Sequence, residues 1–394
     1  APCKDGCPIH QDIPEYIELC RKGEYASALR LITEKNPLPF ITGTICAHNC
    51  MTKCMRNYYD EPVNIRATKL VAAERGYEEY MAKLTPPAPV TDGRKVAVIG
   101  GGPTGMAAAY FVGRAGIPVT IFERSGVLGG VVRQVIPAFR ISDDAIDHDV
   151  ALMFKMGVEV KLNTEAPSVA ELKAQGYTHI FFAVGAWKAG RLDIPGNVVP
   201  VIGWLKDMKA GKAVSLGHVA VVGGGNTAMD AARAALRAGA KSSTLVYRRT
   251  KKYMPADAEE LEMAIADGVE FLELVAPVEQ KDGRLVCEKM KLGDPDEKGR
   301  RKPVPTGEMV EIPCDTVVSA VGERVESEVF TRNGITVDAK GIPDFKTNLE
   351  GVYAGGDAMR GPATAVGGIA GAQYFANAVF GETRKVATPR RAVG

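Results

Sequence analysis

The sequence lacks three features that would each define a class of protein. No apolar run approaches the ~20 residues of a membrane-spanning helix, and no signal peptide is recognisable at the start. Charge of one sign is not in excess, since 49 basic and 47 acidic residues give a net charge of +2. Nucleic-acid binding through a broad basic surface is therefore not expected. Only the C-terminal stretch RKVATPRRAVG is locally basic, and we expect a solvated end there.

Cysteine is nearly absent after residue 54, because six of the eight cysteines precede residue 55. Disulfide-rich secreted proteins are small and lack a large core. Here, 394 residues with 46% hydrophobic content predict two to three domains with cores of their own. We therefore expect a cytoplasmic, thiol-reducing setting in which the early cysteines bind metal.

The chain divides into a helical front and a nucleotide-binding remainder. Apolar residues at helical spacing run through IPEYIELCRKGEYASALRLITEKNP and again through IRATKLVAAERGYEEYMAKL. The proline-rich LTPPAPVTDG then reads as a linker. The predicted boundaries are 1–85 for a helical domain, 86–93 for the linker, and 94–190, 191–325 and 326–394 for the parts that follow.

Two stretches each predict a strand, a glycine turn, a helix and a second strand. The first is KVAVIGGGPTGMAAAYFVGRAGIPVTIFER and the second is HVAVVGGGNTAMDAARAALRAGAKSSTLVYRR. Each is followed by an apolar strand that ends in Ala-Val-Gly, at residues 183–185 and 320–322. This repeated βαβ pattern is typical of dinucleotide-binding domains.

The first glycine turn predicts a site for an adenosine diphosphate group without a 2′-phosphate. Gly100 allows the tight turn, Gly102 lets the backbone approach a pyrophosphate, and Gly105 lets the helix pack on the strand. Glu123 closes the second strand, where a carboxylate binds ribose hydroxyls. A glycine turn of an unrelated α/β domain is the alternative.

The second turn predicts a nicotinamide dinucleotide with a 2′-phosphate. It comprises Gly223, Gly225 and Ala228, and the following strand ends in Arg248 and Arg249 instead of an acidic residue. Guanidinium groups bind a phosphate that a carboxylate would repel. Arginines that merely cap an exposed strand end are the alternative.

A third motif, GGDAMRGPATAV, indicates that the first dinucleotide is FAD. Asp357 at a strand end suits the ribityl or pyrophosphate part, and a helix beginning near Thr364 directs its dipole at the flavin ring. We therefore expect an α/β fold with two Rossmann-like domains, the NADPH domain being inserted in a discontinuous FAD domain.

Together these motifs resemble the small-subunit family of bacterial glutamate synthase. Relatives of that family include the flavin half of dihydropyrimidine dehydrogenase and the NADPH-binding subunits of ferredoxin-dependent transhydrogenases. The resemblance implies a helical iron–sulfur module before the two nucleotide domains. One departure is Val135, where the family usually has glycine before Ile-Pro.

The resemblance also assigns cofactor residues by position. For FAD these are Gly100, Gly102, Pro103, Thr104, Gly105, Glu123, Arg124, Gly130, Arg140, Gly356, Asp357, Thr364, Ala365 and Val366. For NADPH they are Gly225, Asn226, Thr227, Asp230, Arg248 and Arg249.

The metal ligands are expected among Cys3, Cys7, Cys46, Cys50 and Cys54. Thiols spaced by four residues would share one stripe of a helix, and zinc or iron would fit them. Iron–sulfur is favoured, because a flavin needs a one-electron acceptor and zinc is redox-inert.

The number of clusters stays open between one and two 4Fe–4S clusters. In the family Cys3 and Cys54 belong to one cluster and Cys7, Cys46 and Cys50 to the other. The fourth ligand of the latter is Gln or Glu, and Lys69 stands there, which cannot bind iron while protonated. Cys20, Cys287 and Cys314 are expected to be structural.

The expected function is an NADPH-dependent flavin/iron–sulfur oxidoreductase that exchanges electrons with a larger subunit or ferredoxin. Hydride transfer to flavin needs no protein acid or base, so no catalytic side chain is predicted. Neither nucleotide domain has the CxxC pair that disulfide reductases need. A transhydrogenase-type subunit and a non-catalytic scaffold with structural metal are the alternatives.

Overall fold

The protein is described from a computed structural model, which covers residues 1–381 except 213, 215, 298 and 300. The basic C-terminal stretch lies outside the described residues. No helix in the described part is both long and apolar enough to cross a bilayer. The chain forms two compact units: unit 1 contains 1–133, 138–186 and 325 onward, and unit 2 contains 134–137 and 187–324.

The front of the chain is helical, as predicted. The expected run up to Pro37 is two helices, because Gly23 turns the chain with a φ of +79° between them. Asn64 begins the longest front helix by accepting a hydrogen bond from the Ala67 amide (3.2 Å). The helices are α1 (Pro2–Asp5), α2 (Ile13–Arg21), α3 (Tyr25–Thr33), α4 (Pro39–Ile45), α5 (Asn49–Thr52) and α6 (Ile65–Lys83).

The cysteine triplet does not lie on one helix, so the single stripe that a helix would produce is not formed. Cys46 caps the end of α4, Cys50 lies in α5, and Cys54 precedes a 3-10 turn at Met55–Tyr58. His48 adopts a left-handed conformation (φ +40°) between the two helices and reverses the chain. The positions of the thiols therefore depend on the loop conformation at His48, which the spacing of the cysteines does not predict.

The first nucleotide fold follows the linker. Val96–Ile99 and Val119–Phe122 are the two predicted strands, with a helix between them that starts at Pro103. The elements are β1 (Val96–Ile99), α7 (Pro103–Arg114), β2 (Val119–Phe122), α8 (Gly130–Gln134), α9 (Asp143–Phe154), β3 (Glu159–Lys161), α10 (Val169–Ala174) and β4 (His179–Phe182).

Unit 2 contains the second copy and an antiparallel sheet that the sequence did not reveal. Its elements are β5 (Lys188–Ala189), β6 (Val198–Pro200), α11 (Val201–Lys209), β7 (His218–Val222), α12 (Asn226–Arg237), β8 (Ser242–Tyr247), α13 (Ala258–Ala266), β9 (Glu270–Glu273), β10 (Val275–Lys281), β11 (Arg284–Pro295), β12 (Arg301–Pro313), β13 (Thr316–Ser319) and β14 (Glu323–Arg324). A 3-10 turn covers Lys251–Tyr253.

The chain then returns to unit 1 with α14 (Glu328–Thr331), β15 (Val352–Ala354), α15 (Asp357–Arg360) and α16 (Ala365–Phe380). Strand β15 joins β4 in parallel, pairing Val352 with Ile180. The first sheet is therefore completed by residues more than 150 positions downstream of β4, counted from 182 to 352.

The two parallel sheets share the arrangement of four strands, whereas the fifth, an edge strand, comes last in the chain order of the unit 1 sheet and first in that of the unit 2 sheet. Unit 1 has the order β15-β4-β1-β2-β3, and unit 2 has β6-β13-β7-β8-β9. In both, the strand that carries the glycine turn is central and the strand after the helix is its neighbour. Every pairing within these two sheets is parallel, which places all strand carboxyl ends at one edge of each sheet.

Within unit 1 the helical front packs on the first nucleotide fold. His148 of α9 stacks on Phe40 with ring centroids 4.6 Å apart and meets Tyr77 edge-on at 4.4 Å. The neighbouring Asp149 is fully buried and accepts the amides of Phe40 (3.1 Å) and Ile41 (2.8 Å). The Asp149 side chain thus caps the start of α4, although the two are more than a hundred residues apart in the sequence.

Candidate functional site

The first glycine turn has the close approaches that its motif predicts. Gly100 has a φ of +105°, and a Cβ there would lie 2.5 Å from the Ala183 carbonyl oxygen of the strand end beside it. A Cβ on Gly105 would lie 1.9 Å from the Gly100 carbonyl oxygen. Neither position admits another residue without moving the backbone, so the turn and α7 fit only with glycine.

Glu123 lies directly behind this turn. Its Oε2 accepts the Gly101 amide (2.6 Å) and its Oε1 accepts the Ser125 amide (2.7 Å). The side chain is 7% exposed. The carboxylate is thus held by backbone donors at the end of β2, where the ribose of a dinucleotide would meet it.

Three distant segments converge on the start of α7. Thr104 packs against two glycines. A Cβ added to Gly356 would lie 2.2 Å from the Thr104 Oγ1, and a Cβ added to Gly368 would lie 2.3 Å from it. Gly102 faces Gly130, whose added Cβ would be 2.9 Å from the Gly102 Cα. The predicted flavin motifs therefore form one surface at the carboxyl edge of the first sheet.

The C-terminal motif starts two helices at this surface. Asp357 opens α15, and its Oδ1 accepts the Ala363 amide (3.1 Å). Thr364 is the N-cap of α16 and accepts the Gly367 amide (3.2 Å), so the helix starts one residue later than Thr364 itself. Ala365 and Val366 form its first turn, where backbone amides are free of intrahelical partners.

The remaining residues expected at FAD lie in the same unit. Arg124 is half exposed and pairs with Glu326 at 3.0 Å. Arg140 is partly buried in the turn before α9. Val135, at the departure from the family pattern, is 2% exposed and belongs to unit 2.

The second glycine turn is hydrogen-bonded to the segment 254–257, which follows the 3-10 turn after β8. The Ala256 amide donates to the Gly224 carbonyl (3.0 Å), and Asn226 exchanges two hydrogen bonds with Asp257 (3.0 and 3.2 Å). Gly225 is the N-cap of α12, and a Cβ added there would meet no atom within 4 Å, which leaves open space for a ligand. Thr227 and the buried Asp230 follow in α12.

The arginine pair directly follows β8, at the position equivalent to Glu123. Arg248 is exposed, and Arg249 is partly buried with an Nε that has no hydrogen-bond partner. Tyr247 fixes the strand end by donating from its hydroxyl to the Tyr253 carbonyl (2.7 Å). Two guanidinium groups at a strand end can together bind a phosphate.

Three of the five candidate metal ligands surround one pocket in unit 1. Cys7, Cys46 and Cys50 line it, and Lys69 and Val366 lie in the same wall. No three His, Cys, Asp or Glu side chains of the described residues are grouped tightly enough for a single ion. A 4Fe–4S cluster instead takes its thiolates on different irons, and so fits thiols placed around a pocket.

Cys3 and Cys54 form a separate neighbouring pair. Helix α1 packs on α5, since a Cβ on Gly6 would be 3.0 Å from the Asn49 carbonyl oxygen. Burial raises the pKa of the Cys3 thiol, and the nearby Cys54 adds to the rise. The division into three thiols and two thiols is the one that the family resemblance assigns.

Two of the pocket thiols, Cys50 and Cys7, hold their protons more strongly than an ordinary cysteine, because burial raises their pKa values. Burial, followed by the nearness of Cys7 and Cys46, raises the pKa of Cys50 to about 12. Burial also raises the pKa of Cys7, against the opposing effect of Lys69. Iron must therefore displace these protons when it binds.

Sequence reasoning missed Gln11, which also lines the pocket. The only signal was its place four residues after Cys7. Cys20, expected in the core, is half-buried on α2, and Cys287 and Cys314 are buried in unit 2 as expected. All eight cysteines are free.

Two family models match the chain. Residues 94–372 match the pyridine nucleotide-disulphide oxidoreductase family, and residues 1–80 match dihydropyrimidine dehydrogenase domain II, 4Fe-4S cluster. The solved structure of Mycobacterium tuberculosis FprA in complex with NADPH superposes with a TM-score of 0.61 at 21% identity, covering 73% of this chain and 84% of that one. This likeness shows the shared fold.

Curated relatives agree with these family matches. The glutamate synthase NADPH small chain of Escherichia coli (strain K12) is 30% identical over 96% of this chain and 88% of its own. The Escherichia coli (strain K12) protein YgfK is 44% identical over 96% of this chain. The chain spans only 38% of the length of YgfK.

The chain belongs to the pyridine nucleotide-disulphide oxidoreductase family, within the group that includes the glutamate synthase small chain. The family matches make FAD and a pyridine nucleotide the cofactors of residues 94–372, and a 4Fe–4S cluster the cofactor of residues 1–80. The predicted fold class and cofactors are thereby confirmed. The residue assignments and the domain boundaries stay predictions.

Proposed function

We propose that this chain carries electrons between NADP(H) and a protein partner, through FAD and a 4Fe–4S cluster held by Cys7, Cys46 and Cys50. FAD would lie against the surface formed by Gly102, Thr104 and the start of α16. NADP(H) would lie on the second glycine turn with its 2′-phosphate at Arg248 and Arg249.

One observation carries this proposal: the flavin motif and the thiol pocket share a residue. Thr364 caps α16, and Val366, two residues later, is 4% exposed and lines the pocket with the three cysteines. The first turn of the helix that would face the flavin is therefore also the wall of the cluster site. Such nearness supports a direct passage of electrons.

The division of work follows from cofactor chemistry. A flavin takes up electrons in pairs and gives them up singly, and an iron–sulfur cluster accepts one at a time. The residues of the chain bind and align: Glu123 fixes the first turn, and the arginine pair selects the phosphate. No side chain needs to move a proton at the nicotinamide.

The electron acceptor is proposed to be a larger subunit or a ferredoxin, in a cytoplasmic hetero-oligomer. The relative named as a small chain supports a partner subunit. Free thiols support a reducing setting, in which such cysteines stay available to iron.

Replacing single cysteines tests the route. In Cys50→Ser, we expect NADPH to reduce the flavin while the cluster signal in electron paramagnetic resonance (EPR) and ferredoxin reduction are lost. Cys20→Ser is the matched control, because Cys20 lies outside the pocket and should leave both intact. The readouts are iron content, flavin absorbance and EPR after anaerobic addition of NADPH.

Full ferredoxin reduction by the iron-depleted Cys50→Ser protein would contradict the route, since electrons would then leave the flavin directly. Loss of flavin reduction in the same variant would also contradict it, because the nicotinamide step would depend on the cluster site.

A further inference from the structure

Lys69 is a buried cation in the wall of the thiol pocket. It lies on α6, is 5% exposed, and lines the pocket with Cys7, Cys46 and Cys50. Its ammonium makes no hydrogen bond or ion pair with any described residue. A charged group at the end of a largely buried side chain is costly unless an anion or a hydrogen-bond acceptor lies beside it. Its placement therefore indicates that something anionic belongs in the pocket.

Asp149 is an acidic side chain close enough for Lys69 to oppose the rise that burial causes in its pKa, but its two oxygens already have other partners. Lys69 acts on it electrostatically, yet both carboxylate oxygens accept amides at the start of α4. The other cation of the wall, Arg66, reaches His48 Nδ1 at 3.1 Å. The pocket wall is therefore rich in positive charge.

Gln11 contributes a second donor whose direction is fixed by a chain of hydrogen bonds. The Leu38 amide donates to Asn36 Oδ1 (3.2 Å), which leaves Asn36 Nδ2 to donate to Gln11 Oε1 (3.2 Å). Asn36 Nδ2 also donates to Thr42 Oγ1 (2.7 Å). Gln11 Nε2 is thus the end without a partner, in a side chain that is 3% exposed and lines the pocket.

We propose that Lys69 and Gln11 donate hydrogen bonds to the sulfur atoms of the cluster held by Cys7, Cys46 and Cys50, and so raise its reduction potential. The inference rests on the proposed function, which places the cluster at these thiols. Lys69 thereby stands where the family resemblance places a ligand, but acts as a positioning residue and not as a ligand.

The direction of the effect follows from charge. Reduction adds one negative charge to a cluster that its thiolates already make anionic. A nearby cation and a fixed N–H dipole stabilise the reduced form more than the oxidised form. Removing either donor should therefore lower the potential without removing iron.

The test is a potentiometric titration of the full chain that is monitored by EPR. The signal monitored is the cluster signal that Cys50→Ser is expected to abolish. For Lys69→Met we expect the ratio of reduced to oxidised cluster at a fixed potential to fall roughly tenfold, which is about 59 mV for one electron. For Gln11→Leu we expect a fall in the same direction of about threefold. Lys22→Met is the matched control, because Lys22 is exposed at the C-terminal end of α2, and it should leave the ratio unchanged.

The outcomes separate this inference from the proposed function. An unchanged potential in both variants with full iron content overturns the role of the two donors and leaves the route standing. A changed iron stoichiometry in Lys69→Met assigns Lys69 as a ligand and also overturns it. If Lys69→Met does not fold, Gln11→Leu alone decides. If the Cys50→Ser variant keeps the EPR signal of the wild-type protein, the proposed set of cluster ligands is wrong.

Discussion

At the scale of the residue, opposite charges at equivalent positions distinguish the two nucleotide sites. Glu123 follows β2 and Arg248 follows β8, each at the end of the strand after the glycine-turn helix. The carboxylate is engaged by the amides of Gly101 and Ser125, whereas Arg248 is exposed. We therefore expect the first position to favour a ribose diol and the second a 2′-phosphate.

This contrast predicts the coenzyme preference. Replacing Arg248 and Arg249 with alanine should lower kcat/KM for NADPH by roughly 10- to 100-fold, because charge-assisted hydrogen bonds are worth about 1.5–3 kcal/mol. The value for NADH, which lacks the 2′-phosphate, should change little. Steady-state kinetics with both coenzymes and an artificial electron acceptor measure this.

Arg284→Ala provides the control, since Arg284 is an exposed arginine of unit 2 that pairs with Glu311. It should leave both values unchanged. An equal loss for NADPH and NADH in the double variant would show that the arginines support the fold of the strand end and do not select the phosphate.

Single residues were predictable where the chemistry is local in sequence. The glycines and Glu123 could be identified because their spacing reflects one βαβ unit. Gln11 could not, because its importance depends on Asn36 and Leu38 holding its amide in one orientation. Lys69 was noticed only because it departs from the family pattern, and its burial in the thiol pocket could not be read from the sequence.

At the scale of the element, Asp149 joins the helical front to the first nucleotide fold. Asp149→Ala would leave the amides of Phe40 and Ile41 buried without an acceptor. We expect the free energy of unfolding to fall by about 1–3 kcal/mol for each buried amide that is left without an acceptor. Urea unfolding, followed by fluorescence and by release of the cluster, measures it.

Asp147→Ala is the control on the same helix. Asp147 is exposed and pairs with Arg133 at the surface, and such pairs contribute about 0–1 kcal/mol. If Asp149→Ala were as mild as this control, the capping of α4 would not stabilise the junction.

The elements of the two parallel sheets were predictable, and two other regions were not. Strands β1, β2, β7 and β8 are apolar runs bounded by glycine turns, so they were located to within two residues. The antiparallel sheet β10–β12 was missed, although Asp282 and Gly283, both with positive φ, form a hairpin signal between β10 and β11. The path of the cysteine stretch could not be predicted from its spacing, because a left-handed His48 turns the chain between Cys46 and Cys50.

At the scale of the whole molecule, the chain leaves and re-enters one compact unit. The sequence predicted changes of domain after residues 190 and 325, and the compact units change after 186 and 324. The repeated Ala-Val-Gly at residues 183–185 and 320–322 lies close to both changes. The pairing of β15 with β4 joins strands that are separated in the sequence by the whole of residues 187–324. No local sequence pattern predicts such a pairing.

Unit 1 contains the helical front, the first glycine turn and α16. The thiol pocket and the surface proposed to bind FAD therefore belong to the same compact unit. The central claim is that electrons supplied by NADPH reach thiolate-bound iron at this pocket through the flavin. An anaerobic titration of the purified chain with NADPH, with iron, sulfide and flavin quantified beforehand, tests it most directly. The account predicts bleaching of the flavin absorbance together with an EPR signal of a reduced 4Fe–4S cluster. Bound zinc in place of iron, or a flavin that stays oxidised, would contradict it.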